Sequence, residues 1–220
     1  ADASGLPAAV FLQETREAVD NTDRRARVVR HHRAEGPALV PTRPPVGALD
    51  PALLPEAASR YLVVDTLPSA QFAEAHVPGT INIPAASLVR WAGFIVDYSR
   101  PVYLLSDEAS IAGHLRRLRS IGIDNVGGYF DARAVQDAGL RTESYSSGAP
   151  EELRPGIESG GATLLDVRAA TEYREGHIPG ARHRFIGSLP DDTSNIDRSR
   201  PVVVHCLGGE RPAIPSNPLQ

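Results

Sequence analysis

The feature that most constrains this chain is an internal repeat. A hydrophobic run ending in aspartate, an aromatic residue and a His-x-Pro-Gly turn occur twice, 101 residues apart, at Asp65, Phe72, His76 and Gly79 and at Asp166, Tyr173, His177 and Gly180. A second hydrophobic run, introduced by Arg-Pro, recurs 100 residues apart after Arg100 and after Arg200. Strands that alternate with helices in this way form a parallel sheet covered by helices. The repeat therefore predicts two tandem α/β domains.

The repeat also predicts the domain boundaries. Residues 1–55 read as an N-terminal helical segment followed by a proline-rich linker, residues 56–145 as the first domain and residues 146–220 as the second. In the first copy, Ile111, Leu115 and Leu118 have helical spacing and a further strand follows near Val126. The second copy shows no counterpart, because prolines interrupt residues 212–220. We therefore expect the second domain to be truncated at its C-terminus, with an exposed sheet edge and no helix after its last loop.

The only cysteine, Cys206, follows a strand that reads as buried on both faces. Gly208 and Gly209 allow the next loop to turn its N–H groups inward, and Arg211 can return a positive charge towards the sulfur. Such a nest binds anions and lowers the pKa of a thiol from its usual value of about 8.5. Cys206 is thus a candidate nucleophile, and an inert buried cysteine is the alternative.

Composition excludes several functional classes. A net charge of −4 argues against general nucleic-acid binding, and no apolar run is long enough to cross a membrane. A single cysteine cannot form an intrachain disulfide, so a reducing cytoplasm is the expected location. His31 and His32 are adjacent and would point in different directions on a helix, which makes them a poor metal pair. We expect neither a metal nor another cofactor.

Three segments of the second copy, 165–168, 172–182 and 204–211, together resemble the rhodanese sulfurtransferase family. The resemblance implies two tandem rhodanese-like domains. It also implies that Cys206 accepts a sulfane sulfur from thiosulfate or a low-molecular-weight persulfide and passes it to a thiol or cyanide. Arg211 would bind the anionic donor. The other predicted substrate-binding residues are Leu207, Gly208, Gly209 and Glu210, through their backbone N–H groups, and Arg168, which could line the anion pocket. An ion pair with Glu172 is an equally good interpretation of Arg168.

Loop length separates this chemistry from a related one. Phosphatases that resemble this family have a Cys-x5-Arg loop around phosphate, whereas Cys206 to Arg211 is Cys-x4-Arg. Sulfur transfer is therefore favoured over phosphatase-like or arsenate-reducing chemistry. The two copies also resemble the end of fusion proteins in which a metallo-β-lactamase-like, persulfide-dioxygenase-type domain precedes two rhodanese modules. A domain or protein of that kind is a possible partner.

The first copy lacks the residues that would carry chemistry. Ser106 stands at the position of Cys206 and Ile111 at that of Arg211, so we expect this copy to be catalytically silent. A non-catalytic interaction or sulfur-relay module of a persulfide-oxidising enzyme is therefore the alternative function. The features present in both copies are expected to be structural: the turn histidines bond the turn, and the aspartates cap the next helix. His205 should point to the face of its strand opposite that of Cys206.

Overall fold

The computed structural model describes residues 45–188 and 199–207, together with the backbone of Val10–Glu14. These residues belong to two compact units. One contains residues 45–143, called the first domain here, and the other contains residues 10–14, 144–188 and 199–207, called the second domain. Among the helices described, none is long and apolar enough to span a bilayer.

The first domain alternates strands with helices, as the repeat predicts. Its strands are β2 (Leu62–Asp65), β3 (Ile81–Asn82), β4 (Val102–Ser106) and β5 (Val126–Asp131). Its helices are α1 (Leu54–Arg60), α2 (Ser69–Glu74), α3 (Leu88–Ile95), α4 (Glu108–Arg119) and α5 (Ala132–Asp137). Short 3-10 turns at Pro51–Leu53 and Ala85–Ser87 precede α1 and α3. The four strands are parallel, in the order β3-β2-β4-β5.

The core of the first domain lies between the sheet and its helices. One cluster joins α1 to β2, β4 and β5. Its buried members are Leu54, Val63, Val77, Leu105 and Phe130. Burying aliphatic and aromatic side chains of this size stabilises the fold by about 1.5–3 kcal/mol each. Since Leu54 is fully buried and Leu49 packs on the same cluster, the first domain extends N-terminally of residue 56.

The second domain repeats this arrangement. Its helices are α6 (Pro150–Glu158) and α7 (Ala170–Glu175), and a 3-10 turn spans Ile186–Ser188. Its strands are β1 (Val10–Glu14), β6 (Thr163–Asp166), β7 (Arg182–His183) and β8 (Val202–Leu207), all parallel, in the order β7-β6-β8-β1. A small core of Leu164, Ala181 and Val203 packs against α6.

Strand β1 changes two predictions. The helical segment predicted within residues 1–55 is wrong at Val10–Glu14, which pair with β8 along their whole length; residues 15–44 lie outside the described part of the chain. The exposed sheet edge predicted beside the cysteine strand is also wrong, because β1 covers it. A stretch of only five residues, three of them apolar, is too short for its periodicity to separate a strand from a helix, so the distant partner strand decides.

The inner strands of the two sheets pair in the same register. Leu62 lies beside Val102 in the first domain, and the equivalent Thr163 lies beside Val202 in the second. Each domain is therefore α/β with a parallel sheet, as predicted, and Ser106 and Cys206 occupy equivalent strand positions. The residues that would show whether the second domain is truncated, 208–220, are outside the described part of the chain.

Candidate functional site

The candidate site lies at the carboxyl end of β8, an inner strand of the second sheet. Cys206 is one residue from the end of this strand, lies beside Gln13 of β1 in register, and is fully buried. The preceding residue, His205, pairs in register with Asp166 of β6. In open α/β sheets, ligands bind outside the carboxyl ends of the strands. The single cysteine is therefore at the edge where such domains place their chemistry.

The predicted site residues fall into two groups. Leu207 ends β8, and Arg168 follows β6 at the same edge of the sheet. The positions of Gly208, Gly209, Glu210 and Arg211 are outside the described residues. The predicted anion-binding loop therefore stays a prediction. Because side chains alternate along a strand, Cys206 and the buried His205 face opposite sides of the sheet.

Arg168 is held by Asp166. Its Nη2 donates to Asp166 Oδ2 at 2.7 Å and its Nε lies 3.0 Å from both carboxylate oxygens. The same Nη2 also donates to the carbonyl oxygen of Gly176 at 2.7 Å. Glu172, the partner considered from the sequence, instead accepts the N–H of Ala169 at 2.8 Å at the start of α7. The arginine thus ties the end of β6 to the turn after α7.

The predicted helix-capping role of Asp65 and Asp166 is wrong. Asp65 accepts the N–H of Leu67 at 2.8 Å, and Asp166 accepts that of Arg168 at 3.0 Å. These are turns closed two residues after the strand, because the helices begin only at Ser69 and Ala170. The cap positions themselves are taken by Pro68 and Ala169.

The two equivalent aspartates have opposite pKa shifts. Burial raises the pKa of Asp65 to about 7, and the hydrogen bond from the Leu67 N–H offsets only part of this effect. Burial also acts against ionised Asp166, but hydrogen bonds and charge from Arg168, with a smaller effect of His205, leave the pKa of Asp166 below its usual value. Leu67 occupies the place of Arg168 in the first domain, so the hydrogen bonds and charge of the arginine side chain are absent there.

The turn histidines have the structural role that the sequence predicts. Nδ1 of His76 lies 2.8 Å from the carbonyl oxygen of Phe72, and Nδ1 of His177 lies 2.9 Å from that of Tyr173. Each imidazole also stacks on the aromatic ring of the same residue. The rings therefore fix the chain between the helix and the next strand.

The sequence did not lead us to predict that His183 takes part in the contacts at this sheet edge. Its Nε2 lies 2.8 Å from the carbonyl oxygen of Arg168, and its ring stacks on Tyr173. In the first domain Asn82 makes the equivalent bond to the carbonyl oxygen of Leu67, at 2.8 Å. The two residues are also 101 positions apart, so the repeat offset was the signal that could have identified His183.

The equivalent edge of the first domain has a different local structure. Ser106 is buried at the end of β4, and α4 begins two residues later at Glu108. Ile111, the counterpart of Arg211, is buried within this helix. The segment aligned with the cysteine loop is therefore the first turns of a helix, without a cationic side chain at its end.

The second domain thus belongs to a class defined by its fold and site: a parallel α/β domain with a buried cysteine at the carboxyl edge of an inner strand. Within the part of the chain that the structure describes, no group of three or more His, Cys, Asp or Glu side chains could hold a metal ion. Residues 149–219 match the family model of the rhodanese-like domain.

Several curated proteins are similar over part of their length. An HTH-type transcriptional regulator of Mycobacterium tuberculosis is 40% identical over 67 residues, 28% of this chain and 30% of that protein. The thiosulfate sulfurtransferase GlpE of Stutzerimonas stutzeri is 35% identical over 60 residues, 27% of this chain and 55% of that protein. A tRNA sulfurtransferase of Desulfurococcus amylolyticus is 30% identical over 131 residues, 52% of this chain and 26% of that protein. The chain thus spans between about a quarter and about half of these relatives.

Solved structures are more distant. A thiosulfate sulfurtransferase of Pseudomonas aeruginosa is 21% identical with a TM-score of 0.35, over 86% of this chain and 42% of that chain. A metallo-β-lactamase of Staphylococcus aureus is 23% identical with a TM-score of 0.36, over 43% of this chain and 26% of that chain.

Proposed function

We propose that this protein is a sulfurtransferase that carries sulfane sulfur as a persulfide on Cys206. The observation that carries the proposal is the position of this cysteine at the carboxyl edge of an inner strand, inside the segment that matches the rhodanese-like family model. The curated relatives that are named sulfurtransferases support the same reaction class.

The proposed reaction has two displacements at sulfur. The Cys206 thiolate attacks the outer sulfur of thiosulfate; a new S–S bond forms, the old S–S bond breaks, and sulfite leaves with the bonding electron pair. An acceptor thiolate or cyanide then attacks the terminal sulfur of the persulfide and regenerates the Cys206 thiolate. A low-molecular-weight persulfide can replace thiosulfate, with its thiolate as the leaving group. No net change in the oxidation state of the protein occurs over one cycle.

Arg211 and the backbone N–H groups of residues 207–211 are proposed to hold the anionic donor and to stabilise the negative charge on the persulfide. The supporting observation is the sequence itself, in which Gly208 and Gly209 permit an inward-facing loop and Arg211 supplies a fixed positive charge. Arg211→Ala should therefore slow the loading of sulfur on Cys206 with little change in the stability of the fold.

The first domain is proposed to be a second rhodanese-like domain that does no chemistry. The strand order, the inner-strand register and the turn hydrogen bonds support the structural likeness. The helical start after Ser106 and the buried Ile111 support the lack of activity. The same features favour the second candidate function, an interaction or sulfur-relay module for a persulfide-oxidising, metallo-β-lactamase-like enzyme.

Intact mass measurement tests the two candidates directly. The purified protein and Cys206→Ser are incubated separately with thiosulfate and with glutathione persulfide, and each sample is measured before and after cyanide treatment. We expect the mass of one sulfur atom to be gained, to be removable by cyanide, and to be absent in the variant. A folded protein that gains no sulfur from either donor would contradict the sulfur-carrier proposal and favour the interaction module.

A further inference from the structure

The end of β6 carries a side-chain link that has no equivalent in the first domain. Three donor–acceptor contacts join Arg168 to the Asp166 carboxylate, and a fourth reaches Gly176. The Asp166 side chain has no exposed surface and that of Arg168 is only 12% exposed. A buried bidentate pair of this kind has strong geometric specificity.

The backbone around this link is the same in both domains. His205 and its counterpart Leu105 each accept an N–H from the residue after the aspartate, Val167 at 3.0 Å and Thr66 at 2.9 Å. The carbonyl oxygens of Asp166 and Asp65 likewise each accept one N–H from the chain after the neighbouring strand, at 2.9 Å in both domains. The turn therefore does not need an arginine to form. The guanidinium adds a positive charge that the first domain lacks at this place.

Charge is the property that the arginine changes. Asp65 in the same turn, with Leu67 in place of Arg168, has a pKa raised to about 7 by burial. An aspartate in that state is largely ionised above neutral pH and has no cation to balance it. With Arg168 present, Asp166 is ionised and paired.

This charge lies at the same carboxyl edge of the sheet as the cysteine, with the Asp166 side chain on the face opposite that of Cys206. Asp166 is the register partner of His205, the residue immediately before Cys206 on the adjacent strand. The register partners of Asp166 on the two neighbouring strands are both titratable: His183 on β7 and His205 on β8. Register partners share a face of the sheet, so these two histidines, together with Arg168, are the ionisable groups that face Asp166 from the elements beside it.

We propose that Arg168 is a positioning residue of the Cys206 site that neutralises the buried Asp166 carboxylate, so that an anionic sulfur donor can bind at this edge. The inference rests on the proposed function. This role differs from direct binding of the donor by Arg168, because Nε and Nη2 of its guanidinium already donate to Asp166 and Gly176. Thiosulfate, a dianion, is the donor that an unbalanced carboxylate would repel most strongly.

Thiosulfate binding separates this inference from the proposed reaction. The dissociation constant is measured calorimetrically at pH 5.5 and at pH 8 in a Cys206→Ser background, which cannot transfer sulfur. Arg168→Leu gives Asp166 the neighbour that Asp65 has in the first domain, so binding should weaken about tenfold at pH 8 and less than about twofold at pH 5.5. Adding Asp166→Asn should restore binding at pH 8, and Asp166→Asn alone should leave it equal or tighter. Comparing every variant with its parent at the same pH removes the common contribution of His183 and His205.

The opposite pattern would overturn the inference. Equal weakening at both pH values, with no recovery on adding Asp166→Asn, would mean that Arg168 contacts the donor itself. Weaker binding by a folded Asp166→Asn protein, with its fold checked by circular dichroism, would contradict the inference even if Arg168→Leu does not fold. If the background protein binds thiosulfate as described but the native protein loads no sulfur, the sulfurtransferase proposal fails and the inference about Arg168 stands.

Discussion

The two domains share the register of their inner strands, and the aligned sequences differ at three positions that the candidate chemistry uses. Leu67, Ser106 and Ile111 of the first domain stand where the second has Arg168, Cys206 and Arg211. The inner-strand register is the same in both domains, and the strand beside the site strand is β5 in the first domain and β1 in the second. The fold is therefore independent of the candidate chemistry, and the first domain serves as an internal reference for what each site residue adds.

Moving the cysteine from the second domain to the first should have the largest effect. In the double variant Ser106→Cys and Cys206→Ser, we expect the complete loss of sulfur loading from thiosulfate, because the new cysteine precedes a helix rather than an arginine-bearing loop. Intact mass before and after cyanide measures the loading. Loading at residue 106 comparable to that of the native protein would show that a cysteine at this strand position suffices without the loop.

Asp65 provides the next largest effect. Its pKa, raised from 3.8 to about 7, means that its contribution to stability is complete below about pH 4 and is lost as the pH rises through 7, by about 4 kcal/mol in all. Asp65→Asn keeps an oxygen that can accept the Leu67 N–H and removes the ionisation. We expect the variant to be more stable than the native protein at pH 8 and nearly equal at pH 4.

Trp91 makes this measurable. It is the only tryptophan and lies buried in the first domain, so its fluorescence during urea unfolding follows that domain. A native free energy of unfolding that does not change between pH 4 and pH 8, after correction for the other groups with an Asp65→Asn control, would contradict the shift.

Asp166 should respond in the opposite direction. Because its pKa is lowered, its contribution to stability is present above its unfolded pKa and is lost as the pH falls. Asp166→Asn removes the carboxylate that pairs with the largely buried Arg168, which should destabilise the second domain by about 3 kcal/mol at pH 7. Hydrogen exchange in β6 and β8 measures this, with Asp65→Asn as the matched control. Slower exchange in the Asp166 variant would contradict the pairing.

The smallest effect concerns two glycines in the repeated turn. Gly79 and Gly180 have φ values of +85° and +82°, so alanine at either costs about 1–2 kcal/mol. A Cβ at Gly79 would in addition lie 3.0 Å from the carbonyl oxygen of Ala58, whereas one at Gly180 meets nothing within 4 Å. Gly79→Ala should therefore lower the melting temperature of its domain more than Gly180→Ala lowers that of the other. The reverse order, seen by calorimetry, would contradict the packing at Ala58.

The sequence was sufficient to predict those features that occur in both copies of the repeat. The constant offset correctly aligned the inner strands, and it correctly gave His76 and His177 one structural role. It was insufficient where partners depend on local turn geometry. The choice of Asp166 over Glu172 by Arg168 follows from a turn that closes two residues after the strand, and helical spacing does not reveal such a turn.

Strand β1 lay beyond sequence reasoning for another reason. Val10–Glu14 pair with residues about 190 positions further along the chain, and no local pattern specifies so distant a partner. The loop residues 208–211 belong to a third case, because their predicted roles still depend on the motif alone.

The pairing of β1 with β8 has a consequence for the order of folding. Every strand of the first sheet lies between residues 62 and 131, so that sheet can form while the chain is still being synthesised. The second sheet needs its earliest and its latest strands together, and must wait until β8 has left the ribosome. Closing so long a loop is entropically costly and slow. Newly made protein should therefore hold a folded first domain for some time before the cysteine-bearing sheet is complete.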